Sequence, residues 1–163
     1  MKEVTIIDNY LPEDDFNNLS DIFFSQDFPW YWIDYKVGPN DNIDPGLEKY
    51  DHQFVHMFYS NYHVQSTHIE ILNTLLKKIN PCAIVKIKAN LTTCSKQIVE
   101  FPFHTDERNF VGKTGIFYMN SNNGYTEFES GDKVESVGNR CVLFDSDLRH
   151  RGTTATNTKL RAV

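Results

Sequence analysis

The chain has 163 residues, 40% of them hydrophobic and 13% aromatic, and a formal net charge of −6. The length argues for one domain over residues 1–163, large enough to bury a full core. The acidic balance argues against a protein built mainly to grip nucleic-acid phosphates, though not against a locally basic groove. No apolar run approaches the ~18 residues of a membrane helix. Met1-Lys2-Glu3-Val4 lacks the charged and apolar regions of a signal peptide. Cys82, Cys94 and Cys141 have no metal-type spacing and are expected as reduced thiols of a cytoplasmic protein, two of them in strands.

Val4-Thr5-Ile6-Ile7-Asp8 predicts a short strand. A helix follows, with Pro12 at its first position and Glu13, Asp14 and Asp15 in the first turn, where the helix dipole favours acids. Phe16, Leu19, Ile22 and Phe23 recur at helical spacing and form its core stripe. Phe28-Pro29-Trp30-Tyr31-Trp32-Ile33 is read as core or lid packing, with a wall of a substrate cleft as the alternative. The Gly38–Gly46 stretch is a loop by its turn chemistry, and the best candidate for a mobile flap. Gln53–Tyr59 is β-like. Thr67-His68-Ile69-Glu70 has the form of a capping box opening a second helix, with Ile69, Leu72, Leu76 and Ile79 on one side and Asn80-Pro81 at its end.

From Cys82 onward the hydrophobic period changes from helical to two. Strands are expected at Ala83–Asn90, Ile98–Phe103, Thr114–Asn120, Tyr125–Phe128, Lys133–Val137, Arg140–Phe144 and Lys159–Val163. Many short strands with closely spaced turns indicate a sandwich or jelly roll. The whole is a mostly β (α+β) fold with the two helices of the first half packed outside.

Val99-Glu-Phe-Pro-Phe-His-Thr-Asp106 carries the chemistry. In extended chain, residues two apart point the same way, so His104 and Asp106 aim an imidazole and a carboxylate at one place. A second histidine completes the two-histidine, one-carboxylate facial triad that suits non-haem Fe(II). His150 is the candidate. The pair alone is weak evidence; the ordered set of His-x-Asp, a later His and then Arg161 carries the weight. Arg161 offers a planar, permanently charged fork for a carboxylate. Arg151 is its rival, but beside His150 it would face the other way. His52, His56, His63 and His68 read as surface or packing residues. Thr126 is a minor candidate for a pocket hydroxyl.

These residues resemble the 2-oxoglutarate- and Fe(II)-dependent dioxygenases, in the prolyl-4-hydroxylase-like branch of bacteria and phages. The resemblance rests on Ile6-Ile7-Asp8-Asn9-Tyr10-Leu11, Phe28-Pro29-Trp30, His104-Thr105-Asp106, Gly115–Asn120, Gly124–Phe128, Asn139–Phe144, His150 and Arg161. It implies a double-stranded β-helix, which is a jelly roll, with His104, Asp106 and His150 as metal ligands and catalytic centre. It further implies Arg161 and Tyr118 at the distal carboxylate of 2-oxoglutarate, and Asn90 near the cosubstrate's other end. The cofactors would be Fe(II), 2-oxoglutarate and O₂, and the reaction a C–H hydroxylation coupled to oxidative decarboxylation of the cosubstrate. The substrate would be a peptidyl prolyl residue or a small metabolite, in the cytoplasm (the host's, if phage-encoded). Two departures stand out. Gly124-Tyr125-Thr126-Glu127 replaces the Gly-Gly-Glu-Thr of many relatives, and the sequence ends two residues past Arg161, where such a strand usually continues. Two rival readings are a cupin-like metal- or ligand-binding jelly roll without turnover, which needs no Arg161, and a structural module in which the triad never meets.

Overall fold

The computed structural model describes residues 4–36, 46, 48–106 and 111–163. The proposed flap, apart from Gly46, lies outside the described residues. Among the described residues the protein is mostly β with two α-helices in its first half, as expected. The elements run β1 (Thr5–Ile7), α1 (Glu13–Phe23), β2 (Tyr31–Ile33), β3 (Gln53–Ser60), β4 (His63–Val64), α2 (Asn73–Ile79), β5 (Ile87–Thr93), β6 (Lys113–Tyr118), β7 (Tyr125–Phe128), β8 (Lys133–Glu135), β9 (Arg140–Asp145), β10 (His150–Gly152) and β11 (Leu160–Ala162). All their pairings are antiparallel, in three groups: β1-β9-β6, β10-β7-β8 and β11-β5-β3-β2, with β4 on β3.

Period-two alternation divides the strands between two cores. Cys141 lies in the cluster formed with Leu19 and Phe23 of α1, Phe58, Leu72, Ala89, Met119 and Ala162, which is the helix-covered outer face. Its neighbours Val142 and Phe144 lie in a second cluster with Tyr118, Phe128 and Val134, against which Val163 packs. This second core joins residues from all three strand groups and is the interior. The outer core is aromatic: Phe23 stacks on Phe28 at 4.8 Å, and both approach Phe58. Of the stripe expected in α1, Leu19 and Phe23 are buried, while Ile22 is exposed.

Several local expectations shift. Pro12 is the N-cap of α1 rather than its first helical residue. The second helix opens as a 3-10 segment, Thr67–Leu72, capped by Ser66 and not Thr67: the Ser66 hydroxyl accepts from the His68 N–H. Its stop reads as expected, with Asn80 left-handed at φ 49°. The strand expected from Ala83 begins only at Ile87, because β3 turns away after Ser60 through Asn61 and Tyr62, both at positive φ. Residues 83–86 then have no strand to pair with. β2, β4 and β10 are additional strands. Of the thiols only Cys141 lies in a strand; Cys82 and Cys94 are exposed outside strands, and all three are free. Burial pushes the Cys141 thiol up to about 11, so it is inert.

The opening segment is pinned by Asn139. Its side-chain amide accepts from the Leu11 N–H and donates to the Leu11 carbonyl, each at 2.8 Å, and its carbonyl accepts from Tyr10. Asn139 holds φ 63°, a left-handed conformation Asn tolerates better than most residues.

Candidate metal and carboxylate site

The expected strand Ile98–Phe103 is not regular. Pro102 has no N–H to give a ladder, and the pairing slips by one residue between the bridges Glu100↔Thr153 and His104↔His150. The segment still runs antiparallel to β10. Phe101 N–H donates to Gly152 O at 3.2 Å, and His104 and His150 exchange both backbone bonds at 2.9 Å. That exchange sets the two imidazoles side by side, with ring centroids 4.9 Å apart.

Asp106 completes the group. Its oxygens lie 3.9 Å from His104 Nε2 and 3.6 Å from His150 Nε2, and one ligand atom from each of the three falls within 4.8 Å of the others. Two donors each about 2.1 Å from one ion can be at most about 4.2 Å apart, so both separations to Asp106 lie within reach of a shared metal. They are too long for direct hydrogen bonds. The set as a whole, spread over up to 4.8 Å, would draw in by about half an ångström around an ion. His104 Nδ1 donates to Pro102 O and His150 Nδ1 to Leu148 O, each at 3.1 Å. A carbonyl only accepts, so both Nδ1 atoms carry the proton in the neutral rings, leaving both Nε2 lone pairs on the Asp106 side. Metal-ligating histidines are usually held through the second nitrogen in this way. Burial, reinforced by the neighbouring His150, holds the His104 imidazole below its ordinary value against the opposing pull of Asp106, which favours the neutral ligand form.

The expected cosubstrate residues gather at Arg161. It pairs with Thr92 of β5, so the two side chains share the inner face, and Asn90 is on that face two residues along. Arg161 is 6% exposed. Its Nε donates to Ser136 Oγ at 2.7 Å and its Nη2 to Thr126 Oγ1 at 3.2 Å. The Tyr118 hydroxyl donates to the same Thr126 oxygen at 2.7 Å, and the guanidinium lies 5.5 Å from the Tyr118 ring centroid. Burial pushes the Tyr118 phenol up and the Arg161 guanidinium down from their ordinary values. No carboxylate among the described residues pairs with Arg161. A buried cation held only by neutral hydroxyls carries a desolvation cost that an anion would offset. The Asn90 Oδ1 is likewise buried without a partner.

Arg151 faces the other way, as its adjacency to His150 requires. It is held by Glu100 and Glu127, with Lys133 and the Tyr125 hydroxyl in the same network. Tyr125 and Glu127, where the sequence departs from Gly-Gly-Glu-Thr, belong to this network, while Thr126 between them points inward. Gly124 is small for cause: a Cβ there would lie 2.8 Å from Arg161 Cδ and from the Thr154 carbonyl. Ser136, Thr92 and Lys36 are the members of the site that sequence reasoning missed. His56 is a core residue, bonded to Pro29 O and Ser66 Oγ, in keeping with a packing role.

No protein-family model matches this sequence. No curated protein matches it. Solved structures do. The chain resembles a viral collagen prolyl hydroxylase from Paramecium bursaria Chlorella virus-1, determined as a 2-oxoglutarate complex, over 98% of this chain and 92% of that one, at 13% identity and TM-score 0.62. It resembles a Pseudomonas putida prolyl-4-hydroxylase over 99% and 89%, at 13% identity and TM-score 0.58. A Trichoplax adhaerens prolyl hydroxylase, in complex with a hypoxia-inducible-factor peptide fragment, matches over 98% and 80%, at 13% identity and TM-score 0.64. At such identity the likeness is one of fold: this chain has the fold of the prolyl hydroxylases.

Proposed function

We propose that the chain is an Fe(II)- and 2-oxoglutarate-dependent dioxygenase that hydroxylates a C–H bond, with a peptidyl prolyl residue as its substrate class. We read the three strand groups as one distorted double-stranded β-helix, a single domain over residues 1–163 acting in the cytoplasm. The observation that carries the reading is the combination, on inner faces of one fold, of a His-Asp-His cluster with a buried guanidinium that lacks an acidic partner. The fold likeness to hydroxylases determined with 2-oxoglutarate and with a peptide supports the cosubstrate and the substrate class.

The donor set fits Fe(II): two neutral imidazole nitrogens and one carboxylate, leaving coordination positions open. When bound, Fe(II) would supply the oxidative chemistry in which 2-oxoglutarate, O₂ and a C–H bond become succinate, CO₂ and C–OH. The protein's residues do the rest. Pro102 and Leu148 carbonyls fix the two rings. Arg161 receives the distal carboxylate, with Tyr118 and Thr126 alongside; Thr126 Oγ1 already accepts twice, so its own proton is available to the ligand. Asn90 has unused side-chain capacity toward the pocket. A metal-binding module without turnover would have no use for the cost of burying Arg161, which favours the dioxygenase over the cupin-like reading.

The test is decarboxylation. Wild-type protein should convert 2-oxoglutarate to succinate slowly without a prime substrate, only with Fe(II), and faster with a proline-containing peptide. Asp106→Ala, which removes one of three ligands, should abolish it. Equal succinate from both proteins under air would identify a contaminant and end the proposal.

A further inference from the structure

Lys36 sits beside the carboxylate site from a part of the chain that the motifs do not touch. Its backbone is fixed from both sides: the N–H donates to Asp51 Oδ1 at 2.9 Å, and the carbonyl accepts from the Gln53 side chain at 3.2 Å, Gln53 itself being buried. The residue keeps some solvent contact, but its Nζ turns inward to donate to Thr92 Oγ1 at 3.2 Å and lies 3.5 Å from the Phe101 ring centroid. Thr92 is the cross-strand partner of Arg161. Two basic side chains thus converge on one inner-face position, and among the described residues neither makes an ion pair with a carboxylate. Asp51, the acid among the described residues that acts on it, accepts from the Lys36 backbone N–H.

We propose that Lys36 is a second carboxylate-binding residue of this pocket, gripping the cosubstrate together with Arg161. This rests on the dioxygenase reading and goes beyond it, because Arg161 alone would satisfy that reading. Among the described residues, the charged groups acting on Lys36 are Arg161 from β11, which disfavours its charge, and Asp51, which favours it; β5 offers it Thr92 and the 98–104 segment the Phe101 ring. Burial first, then Arg161, push the amine down to about 6 against the pull of Asp51. In the free pocket near neutral pH the amine is therefore mostly uncharged. A bound dicarboxylate restores the missing counter-charge, so the amine takes up a proton from solvent as the ligand arrives.

The test is calorimetric titration of 2-oxoglutarate into the Fe(II)-loaded protein under nitrogen, in phosphate and in Tris, whose ionisation enthalpies differ. Wild type should take up close to one proton per ligand, and its affinity should fall toward tenfold per pH unit from about pH 7 to about pH 8. Lys36→Met should take up almost none, show a flat pH profile, and bind about tenfold more weakly near pH 6.5. Lys36→Arg, charged throughout, should keep tight binding without proton uptake. If wild type binds 2-oxoglutarate while Lys36→Met matches it within twofold and in proton uptake, the role of Lys36 falls and the dioxygenase reading stands. If wild type fails to bind 2-oxoglutarate at all, both fall together.

Discussion

Replacing Arg161 by methionine separates function from stability, because the two should move in opposite directions. Methionine fills much of the volume of the arginine stem without its charge. The change forfeits the bonds to Ser136 Oγ and Thr126 Oγ1, of which Thr126 keeps its Tyr118 donor. Each such bond contributes about 1–1.5 kcal/mol net, rising to about 3 where a charge is involved. Against that, desolvating an ion costs several kcal/mol, and no acid among the described residues offsets it here. The ligand-free variant should melt no lower than wild type; each kcal/mol gained would raise the midpoint by about 2–4 °C. Losing a charge-assisted bond to the ligand carboxylate costs about 1.5–3 kcal/mol, which weakens 2-oxoglutarate binding about tenfold to a hundredfold or more. Anaerobic titration followed by the weak visible charge-transfer band of the Fe(II) chelate reads the affinity, and thermal melts of the ligand-free protein read the stability. Binding within threefold of wild type would refute the role of Arg161. A midpoint lower by more than about 5 °C would mean that Arg161 supports the fold, not a ligand.

Arg151→Ala should do the reverse: cosubstrate affinity within about twofold, but a melting point lower by roughly 5 °C, since Glu100 and Glu127 would face each other across a half-buried gap worth about 2 kcal/mol, between exposed and buried pair values. An unchanged melt would show that the Glu100-Arg151-Glu127 network is ornamental. The metal-free protein should lose stability as pH falls from about 6.5, the ordinary histidine value. His104 is held below that value in the fold, so the unfolded chain binds the proton first and gains as pH drops through the window down to the depressed folded value. Urea midpoints of wild type and His104→Gln from pH 7.5 to 5.5 check this; an equally steep decline in both would exclude His104 as a source.

The convergence of His104, Asp106 and His150 was legible because the side-chain period in extended chain needs no knowledge of the partner strand. It survives even though Pro102 breaks the strand that was expected to carry it. Arg161 over Arg151 followed from the same parity argument, and β11 and β10 place the two on opposite faces. Ser136 was not legible. Its contact with Arg161 spans 25 residues and depends on how β8 lies against β11. Lys36 was hidden for the same reason, reaching Thr92 across 56 residues. The start of β5 was misplaced because alternation in Val85, Ile87 and Ala89 continues beyond the point where β3 stops supplying a partner. Periodicity reports which face a residue prefers; whether a strand forms there depends on a neighbour that local sequence does not name.

The register of β11 decides whether any of this chemistry exists. The strand has three residues, and a slip of one would send Arg161 out to the helix-covered face and bring an apolar neighbour in. Three residues of ladder are a weak specification, so the register is fixed from both edges. On one side Asn90 and Val163 exchange both backbone bonds, at 2.8 and 3.0 Å, extending the β5 pairing past Ala162. On the other, Met119 N–H donates to Ala162 O at 3.1 Å, and the Asn120 side chain acts as a further strand residue: its Oδ1 accepts from Ala162 N–H and its Nδ2 donates to Leu160 O. Asn120 follows Tyr118 by two residues, so the end of β6 both supplies the phenol of the site and clamps the strand that carries its guanidinium. The apolar alternation agrees, with Ala162 in the outer core and Val163 against the inner one. A slipped register would turn the Arg161 charge into the apolar outer core that Ala162 now joins. The same buried cation that lacks an acidic partner among the described residues in the native register therefore also excludes the competing one.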